Sequence, residues 1–369
     1  PILDKGVKLT KLPSLDLYSF DNPLKAFRFG LLKEPIDLYE WLSHLSGGFS
    51  EPYTFGERMA IWGKENYKRF DVVHDNQTLA YGLIKLRDMG VPVVGTIHHP
   101  ITMDKRIDIK HAETLSLKLL KWRWYSFLKM QIKVARKLDP IIVVSENTRK
   151  DVVKDFKIDP KKTRKVLHGI DHKTFEPIPS IKRKKNQLIT TASADVPLKG
   201  LIYLIRAYSE LLNEFPDLSL VVIGKLRDGP TSNELDKKDI KNKVKFISDL
   251  TSREIAELYA ESTIAISPSV YEGFGFPAGE AMSCGIPLIS TNGGSLPEVV
   301  GDSGIIVPHS NPNELRKAIK ELLLSPEKRK KLGEKGRKRV LEKFTWKRAA
   351  KELVEVYREA ISNADNRSR

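Results

Sequence analysis

The sequence predicts an α/β protein with parallel sheets in two domains of similar size, and three observations carry that prediction. At 369 residues the chain exceeds one ordinary hydrophobic core. Short apolar, β-branched runs alternate with amphipathic stretches throughout, the pattern of strands joined by crossover helices. Segment 177–186 is proline-rich, then basic, without apolar periodicity, and separates two such alternations as a linker. The expected division is a first domain over 1–176, the linker 177–186, a second domain over 187–345, and a C-terminal helix and tail over 346–369.

In the first half, strands are expected at 6–12, 72–74, 93–98 and 141–145, and helices at 78–89 and 112–138. In the second half, strands are expected at 188–192, 219–224, 243–247, 263–266 and 287–291. Helices are expected at 198–215, 315–324, 326–344 and, separately, 346–361. Ser295 and Glu298 have capping-box spacing, which explains Glu298 without chemistry. Two such domains place ligands at the carboxyl ends of their strands, facing one another across a cleft.

Composition excludes several classes. No run reaches the roughly 18 apolar residues of a spanning helix, and no secretory signal is expected. The single cysteine, Cys284, cannot form an internal disulfide, fits a reducing compartment, and sits in an apolar segment as a small core residue. A net charge of +16, spread over both halves, calls for an acidic partner. Zinc-finger, RNP and helix-turn-helix patterns are all missing, so phosphorylated substrates or a membrane surface are favoured over nucleic acid.

The densest signal is 267–280, S-P-S-V-Y-E-G-F-G-F-P-A-G-E, where Glu272 and Glu280 lie eight residues apart around Gly273-Phe274-Gly275-Phe276. A short apolar run precedes it, and Pro277 suits the first turn of a helix. Strand, glycine loop and helix N-terminus present backbone N–H groups that favour an anion. Carboxylates beside an anion site make sense as hydroxyl binders, so a phosphate joined to a polyol, a nucleotide sugar, fits both.

This stretch, continuing A-M-S-C-G-I-P, resembles the E-x7-E signature of retaining glycosyltransferases of family 4, which have the GT-B fold. The likeness extends over most of the chain. F-D-V-V-H-D-N-Q-T over 70–78 is similar to the family's N-domain strand ending in histidine. V-P-V-V-G-T-I-H-H over 91–99 resembles its T-x-H-D motif, with His99 at the aspartate. The stretch 141–171, ending V-L-H-G-I-D, resembles one ending P-N-G-V-D, and V-P-L-K-G over 196–200 resembles V-P-E-K-G. Phe344-Thr345-Trp346 matches the lead into a helix that in this fold crosses back to the first domain.

The resemblance implies sugar transfer from a UDP- or GDP-linked donor to a hydroxyl, with retention and without metal or other cofactor. Lys199, on a loop opening a helix, would face the leaving phosphate, where a fixed cation typically contributes about 10²–10³ in turnover. Glu280 would accept ribose hydroxyls and Glu272 those of the donor sugar. Gly273 and the amides of Phe274, Gly275 and Phe276 would complete the donor pocket, and His98 would reach across the cleft. Taken singly, Lys199 also reads as a solvated lysine and His98 as a packed strand-end histidine. The His98-His99 pair lacks an i,i+4 partner and a nearby acid, so no metal site is expected.

Two departures stand out. Ala194 occupies the position of an arginine that helps the family bind diphosphate, so another cation is expected to serve or binding to be weaker. The family's opening strand and glycine-rich loop have no counterpart, so the chain is expected to be a piece of a longer one or its first domain incomplete.

The stretch 112–138 is basic and aromatic. At helical spacing Lys118, Lys121, Lys129, Lys133 and Arg136 share a face opposite Leu117, Leu120, Trp124, Phe127, Leu128, Val134 and Leu138. Trp122, Tyr125 and Ile132 fall among the bases. Lys118, Lys121, Trp122, Arg123, Lys129 and Lys133 are thus candidates for an anionic membrane surface, at about 1 kcal/mol per base; a packed helix with a solvated basic face is the equal alternative. The expected acceptor is a lipid-linked or envelope glycan, handled by a cytoplasmic protein, peripheral on the inner membrane face. Two alternatives stay open: a non-catalytic nucleotide- or sugar-binding protein, and a phosphorylase or epimerase of the same fold.

Overall fold

The structure is a computed structural model that describes residues 4–194 and 196–368. Its first sheet has four parallel strands in sequence order: β1 (Val73–Asn76), β2 (Val93–Ile97), β3 (Ile141–Val143) and β4 (Thr163–Lys165). The second has six: β5 (Gln187–Ala194), β6 (Ser219–Lys225), β7 (Val244–Ile247), β8 (Ile264–Ser267), β9 (Leu288–Thr291) and β10 (Ile305–Val307). They lie in the spatial order β7-β6-β5-β8-β9-β10, all parallel. The order reverses between β5 and β8, so the connections leaving those strands part to opposite faces and open a crevice at their carboxyl ends.

Strand alternation builds the cores. In the first sheet Val93, Ile97, Ile141 and Val143 pack with Leu83, Val134 and Leu138 on one face. Val94 and Ile142 point the other way, against Ala349, Val356 and Ala360 of the helix Trp346–Ser368. That C-terminal helix thus crosses back to the first sheet, as expected. The Tyr357 hydroxyl, 2.7 Å from His74 Nδ1, helps to hold it there. In the second sheet Leu188 and Ile189 serve cores on opposite faces, which makes β5 central and buried on both sides.

Four expectations are corrected. Segment 6–12 is not a strand; Val7 and Leu9 stand exposed with no strand beside them. β4 and β10 went unpredicted, β4 because Thr-Arg-Lys is polar and lies at a sheet edge. The stretch 112–138 is two helices, Leu115–Trp124 and Leu128–Ala135, joined by a 3₁₀ turn at Tyr125–Phe127. The turn buries Tyr125, Phe127 and Leu128 together, and it leaves Leu117 and Leu120 exposed on a first helix with no buried residue.

The fourth correction concerns the capping box. The Ser295 hydroxyl caps nothing on its own helix and donates to the Glu272 carbonyl at 3.0 Å. The Glu298 side chain turns away from its own helix. Its carboxylate accepts the Glu146 N–H at 2.6 Å and pairs with Lys165 at 3.0 Å, both from the first sheet's side. A carboxylate at the N-terminus of the helix Glu146–Phe156 meets amides that have no intrahelical partner. Replacing Glu298 with alanine should cost about 1.5–3 kcal/mol. Urea denaturation measures that loss, and hydrogen exchange should quicken at the start of Glu146–Phe156.

Candidate active site at the domain junction

The two loops at the strand reversal carry the predicted residues. After β5 the chain makes a 3₁₀ turn, Pro197–Lys199, turns at Gly200 and enters the helix Leu201–Leu211. After β8 it runs through 268–275 into the helix Phe276–Ser283. The Val270 N–H donates to the Leu198 carbonyl at 2.8 Å and stitches the loops together. Lys199 Nζ therefore lies 2.8 Å from Glu272 Oε1, which also accepts the Ser269 hydroxyl at 2.8 Å.

Gly275 begins the helix in the left-handed region, φ 96°, where a side chain would be strained. The turn leaves the N–H groups of Phe274, Gly275 and Phe276 without an acceptor among the described residues. One turn further on, Glu280 is mostly buried, and its carboxylate has no ion-pair or hydrogen-bond partner among the described residues. That desolvation pushes it up to about 7. The Tyr259 hydroxyl behind it is 3.0 Å from Thr191 Oγ1.

The opposite wall comes from the first domain. His98 Nε2 is 2.6 Å from Asn76 Oδ1, and His98 Nδ1 is 3.0 Å from His168 Nε2. With Asn76 accepting, His98 carries its proton on Nε2 and accepts the His168 Nε2–H at Nδ1. The two rings stack at 5.0 Å, and His168 stacks in turn on Phe276 of the second domain at 5.1 Å. Burial lowers both histidines, His168 to about 4, so the pair is neutral near pH 7. A cavity of about 500 Å³ opens beside them, reached by Asn76, His98, His168, Phe276 and Trp346.

A seam of polar contacts fixes the loop against this wall. The Gly273 carbonyl accepts from Ser145 Oγ at 2.9 Å and Thr148 Oγ1 at 3.2 Å. The Tyr271 hydroxyl donates to Asp151 at 2.7 Å. A Cβ on Gly273 would lie 2.3 Å from the His98 carbonyl oxygen, so only glycine lets the backbones approach this closely.

Of the predicted residues, Lys199, Glu272 and Glu280 gather at the strand reversal, with Gly273, Gly275, Phe276 and His98 on the junction. Phe274 is buried in the core and offers its amide rather than its ring. Ala194 ends β5 level with Lys225 of β6, a cation on the neighbouring strand; the Ala194 side chain and Asp195 lie outside the described residues. His168, Ser269, Ser145 and Thr148 were missed. His168 stands where the resembled P-N-G-V-D stretch has asparagine, the one signal that marked it.

The basic candidates lie elsewhere, and several are already engaged. Lys121 pairs with Asp108, and Arg123 donates to Ser43, Ser46 and Ser126. Trp122 sits between Lys105 and Lys129, and Lys133 lies over Tyr81. Lys118 is exposed. Asp108 also accepts the hydroxyl of buried Tyr125, so acids as well as bases line this surface. Among the described residues no helix is long and apolar enough to cross a membrane.

Comparison with known proteins identifies the family. Residues 24–174 match the family model described as Glycosyltransferase Family 4, and residues 173–339 match Glycosyl transferases group 1. An MMP alpha-(1->4)-mannosyltransferase of Mycolicibacterium hassiacum is 40% identical over 364 residues, covering 98% of this chain and 88% of that protein. The chain belongs to glycosyltransferase family 4. Solved structures agree at the level of fold. Sucrose-phosphate synthase from Thermosynechococcus elongatus superposes with a TM-score of 0.70 at 21% identity, covering 84% of this chain and 78% of its own. Anabaena HepE in complex with UDP gives 0.67 at 17% identity, covering 81% of this chain and 82% of its own. The fold is therefore GT-B, and the chain is a glycosyltransferase.

The free glycosyltransferase should show the Glu280 environment as a pH effect. Its carboxyl rises from 4.5 to about 7 on folding, so the native state binds the extra proton between those values. The associated stability is present below about pH 4.5 and is lost, by about 3 kcal/mol, as pH rises through 7. Glu280→Gln should flatten that part of the profile in denaturation measured from pH 5 to 8, and an unchanged slope would refute the assignment.

Proposed function

We propose that this glycosyltransferase moves a hexose from a nucleotide-diphospho-sugar to an acceptor hydroxyl with retention of anomeric configuration and without a metal ion. The observation that carries the reading is the Lys199–Glu272 pair at the strand reversal, one cation and one hydroxyl-binding acid side by side beneath the free amides of 274–276. Departure of the nucleotide builds negative charge on phosphate. Lys199, released by Glu272, and the amides at the start of Phe276–Ser283 stabilise that charge. Glu272 then turns from Lys199 to hydroxyls of the donor sugar, while Glu280, as carboxylate, accepts the ribose hydroxyls. Lys225, level with Ala194 and paired with Asp249 at 3.0 Å, becomes the second cation for the diphosphate when that exposed pair opens.

His98 presents its Nε2–H to the sugar when Asn76 releases it, with His168 holding the tautomer. No side chain is assigned as nucleophile; the leaving phosphate oxygen takes the acceptor proton. Mannose is the proposed sugar, by likeness to the relative that is named a mannosyltransferase. Its α-linked product fits retention from an α-linked donor. HepE was captured with UDP and with UDP-glucose, which supports a nucleotide sugar as donor.

For the acceptor we propose a glycan or glycolipid presented at an anionic membrane. Exposed Leu115, Leu119, Leu120 and Trp122, beside Lys118, support that reading.

Lys199→Ala should lower turnover by about 10²–10³, and Glu280→Ala should raise the donor KM strongly, with both variants folded by circular dichroism. Wild-type turnover in both would end the assignment. Nucleotide binding with neither transfer nor hydrolysis by the wild type would instead favour a binding protein. Separately, the protein should co-sediment with anionic vesicles at low salt and release as salt rises. Failure to sediment would remove the membrane while leaving the transferase intact.

A further inference from the structure

A second cavity, of about 860 Å³, opens between segment 177–186, Gly285 and the helix Pro326–Lys343. It shares no lining residue with the cavity at the junction. Three guanidiniums face it. Arg183 comes from the segment between the sheets; Arg329 and Arg337 lie eight residues apart on one helix face.

Among the described residues none of the three pairs with a carboxylate. Arg183 donates from Nη2 to the Gly285 carbonyl at 3.0 Å. Arg329 donates from Nη1 to the carbonyls of Leu322 and Leu323. Arg337 donates from Nη1 to those of His172, Phe175 and Ser283 at 2.9–3.0 Å.

Part of this is helix capping, because Ser283 and Gly285 end the helix that carries Glu280. Capping, however, uses one nitrogen of each arginine. A guanidinium has five N–H donors in a planar fork that fits phosphate oxygens two at a time. The donors left over have no protein acceptor among the described residues. Burial disfavours the charge on all three, and the Arg329 cation disfavours it further on Arg183. Lys330 and Lys338 add to the excess, giving five cations around the cavity against the two acids Glu334 and Glu342. Arg183 and Lys330 are exposed and Lys338 pairs with Glu342, yet five cations against two acids in one concave site leave an excess of positive charge that an anion relieves.

We propose that this cavity binds a small phosphomonoester, of the size of a sugar phosphate, at a site separate from the nucleotide-sugar junction. Such a dianion bridges Arg183 to the helix Pro326–Lys343 and braces segment 177–186 against the end of the Glu280 helix.

The test is calorimetric titration of the full chain with mannose 6-phosphate, with mannose and inorganic phosphate as separate arms. Saturable binding of the phosphomonoester, persisting in Lys199→Ala, absent for mannose and weaker for phosphate, is expected. It should weaken about tenfold or more in Arg183→Ala, which loses a charged donor, and also in Lys330→Ala, whose side chain is exposed. Both variants are checked for wild-type thermal melts. Hydrogen exchange over 177–186 should slow when the ligand is added. No saturable binding overturns the proposal. So does binding that vanishes in Lys199→Ala and survives in Arg183→Ala and Lys330→Ala, which would put the phosphate at the donor junction.

Discussion

The Gly273 carbonyl accepts hydroxyl hydrogen bonds from Ser145 and Thr148 of the other domain, and the rest of the junction depends on this contact. Ser145 is itself fixed, since its oxygen accepts the Thr148 N–H as the N-cap of Glu146–Phe156. That cap is further tied to the second domain by Glu298, bound to the Glu146 amide. With no Cβ at 273, the loop seats directly on the His98 backbone. The seating delivers Phe276 to the face of His168, whose Nε2 lies 3.0 Å from His98 Nδ1. A glycine that permits this close approach therefore helps to order the His98–His168 pair across the junction.

The two glutamates of the motif occupy contrasting environments. Glu272 has a cation and a hydroxyl within hydrogen-bond distance. Glu280 has neither among the described residues, and burial drives its carboxyl toward the neutral form. A buried acid without partners is a cost that folding alone does not offset. Hydroxyl donors from a ligand would offset it. The same argument applies to the amides of 274–276 beside it: the nucleotide sugar proposed as donor would supply a complement to both.

How much of this was legible in the sequence follows from where the constraint is local. The motif, Lys199 and the helix start at Pro277 were readable because turn, glycine and carboxylate lie within a few residues of one another. Strand positions in the second sheet were readable, except for the edge strand β10, because the central strands are buried on both faces and run continuously apolar. Glu298 was misread for the opposite reason: its spacing from Ser295 matched a local cap, yet its partners are more than a hundred residues away. His168 was missed because its meaning depends on a stack with Phe276 that only the closed junction creates. The helix over 112–138 was drawn as one piece because periodicity ignores the tight turn that buries Tyr125 and Phe127.

The Lys199–Glu272 pair also constrains which ligand can enter in the proposed reaction. Both side chains are largely buried, 22% and 13% exposed, so separating them in low dielectric is expensive unless each receives a new partner. Phosphate alone satisfies Lys199 and leaves Glu272 facing another anion. A free sugar offers hydroxyls to Glu272 and strands Lys199. A sugar joined to a diphosphate satisfies both at once, with the bond to be broken lying between the two groups it satisfies. In the proposed reaction the complete donor therefore replaces the ion pair at a lower electrostatic cost than either of its halves would.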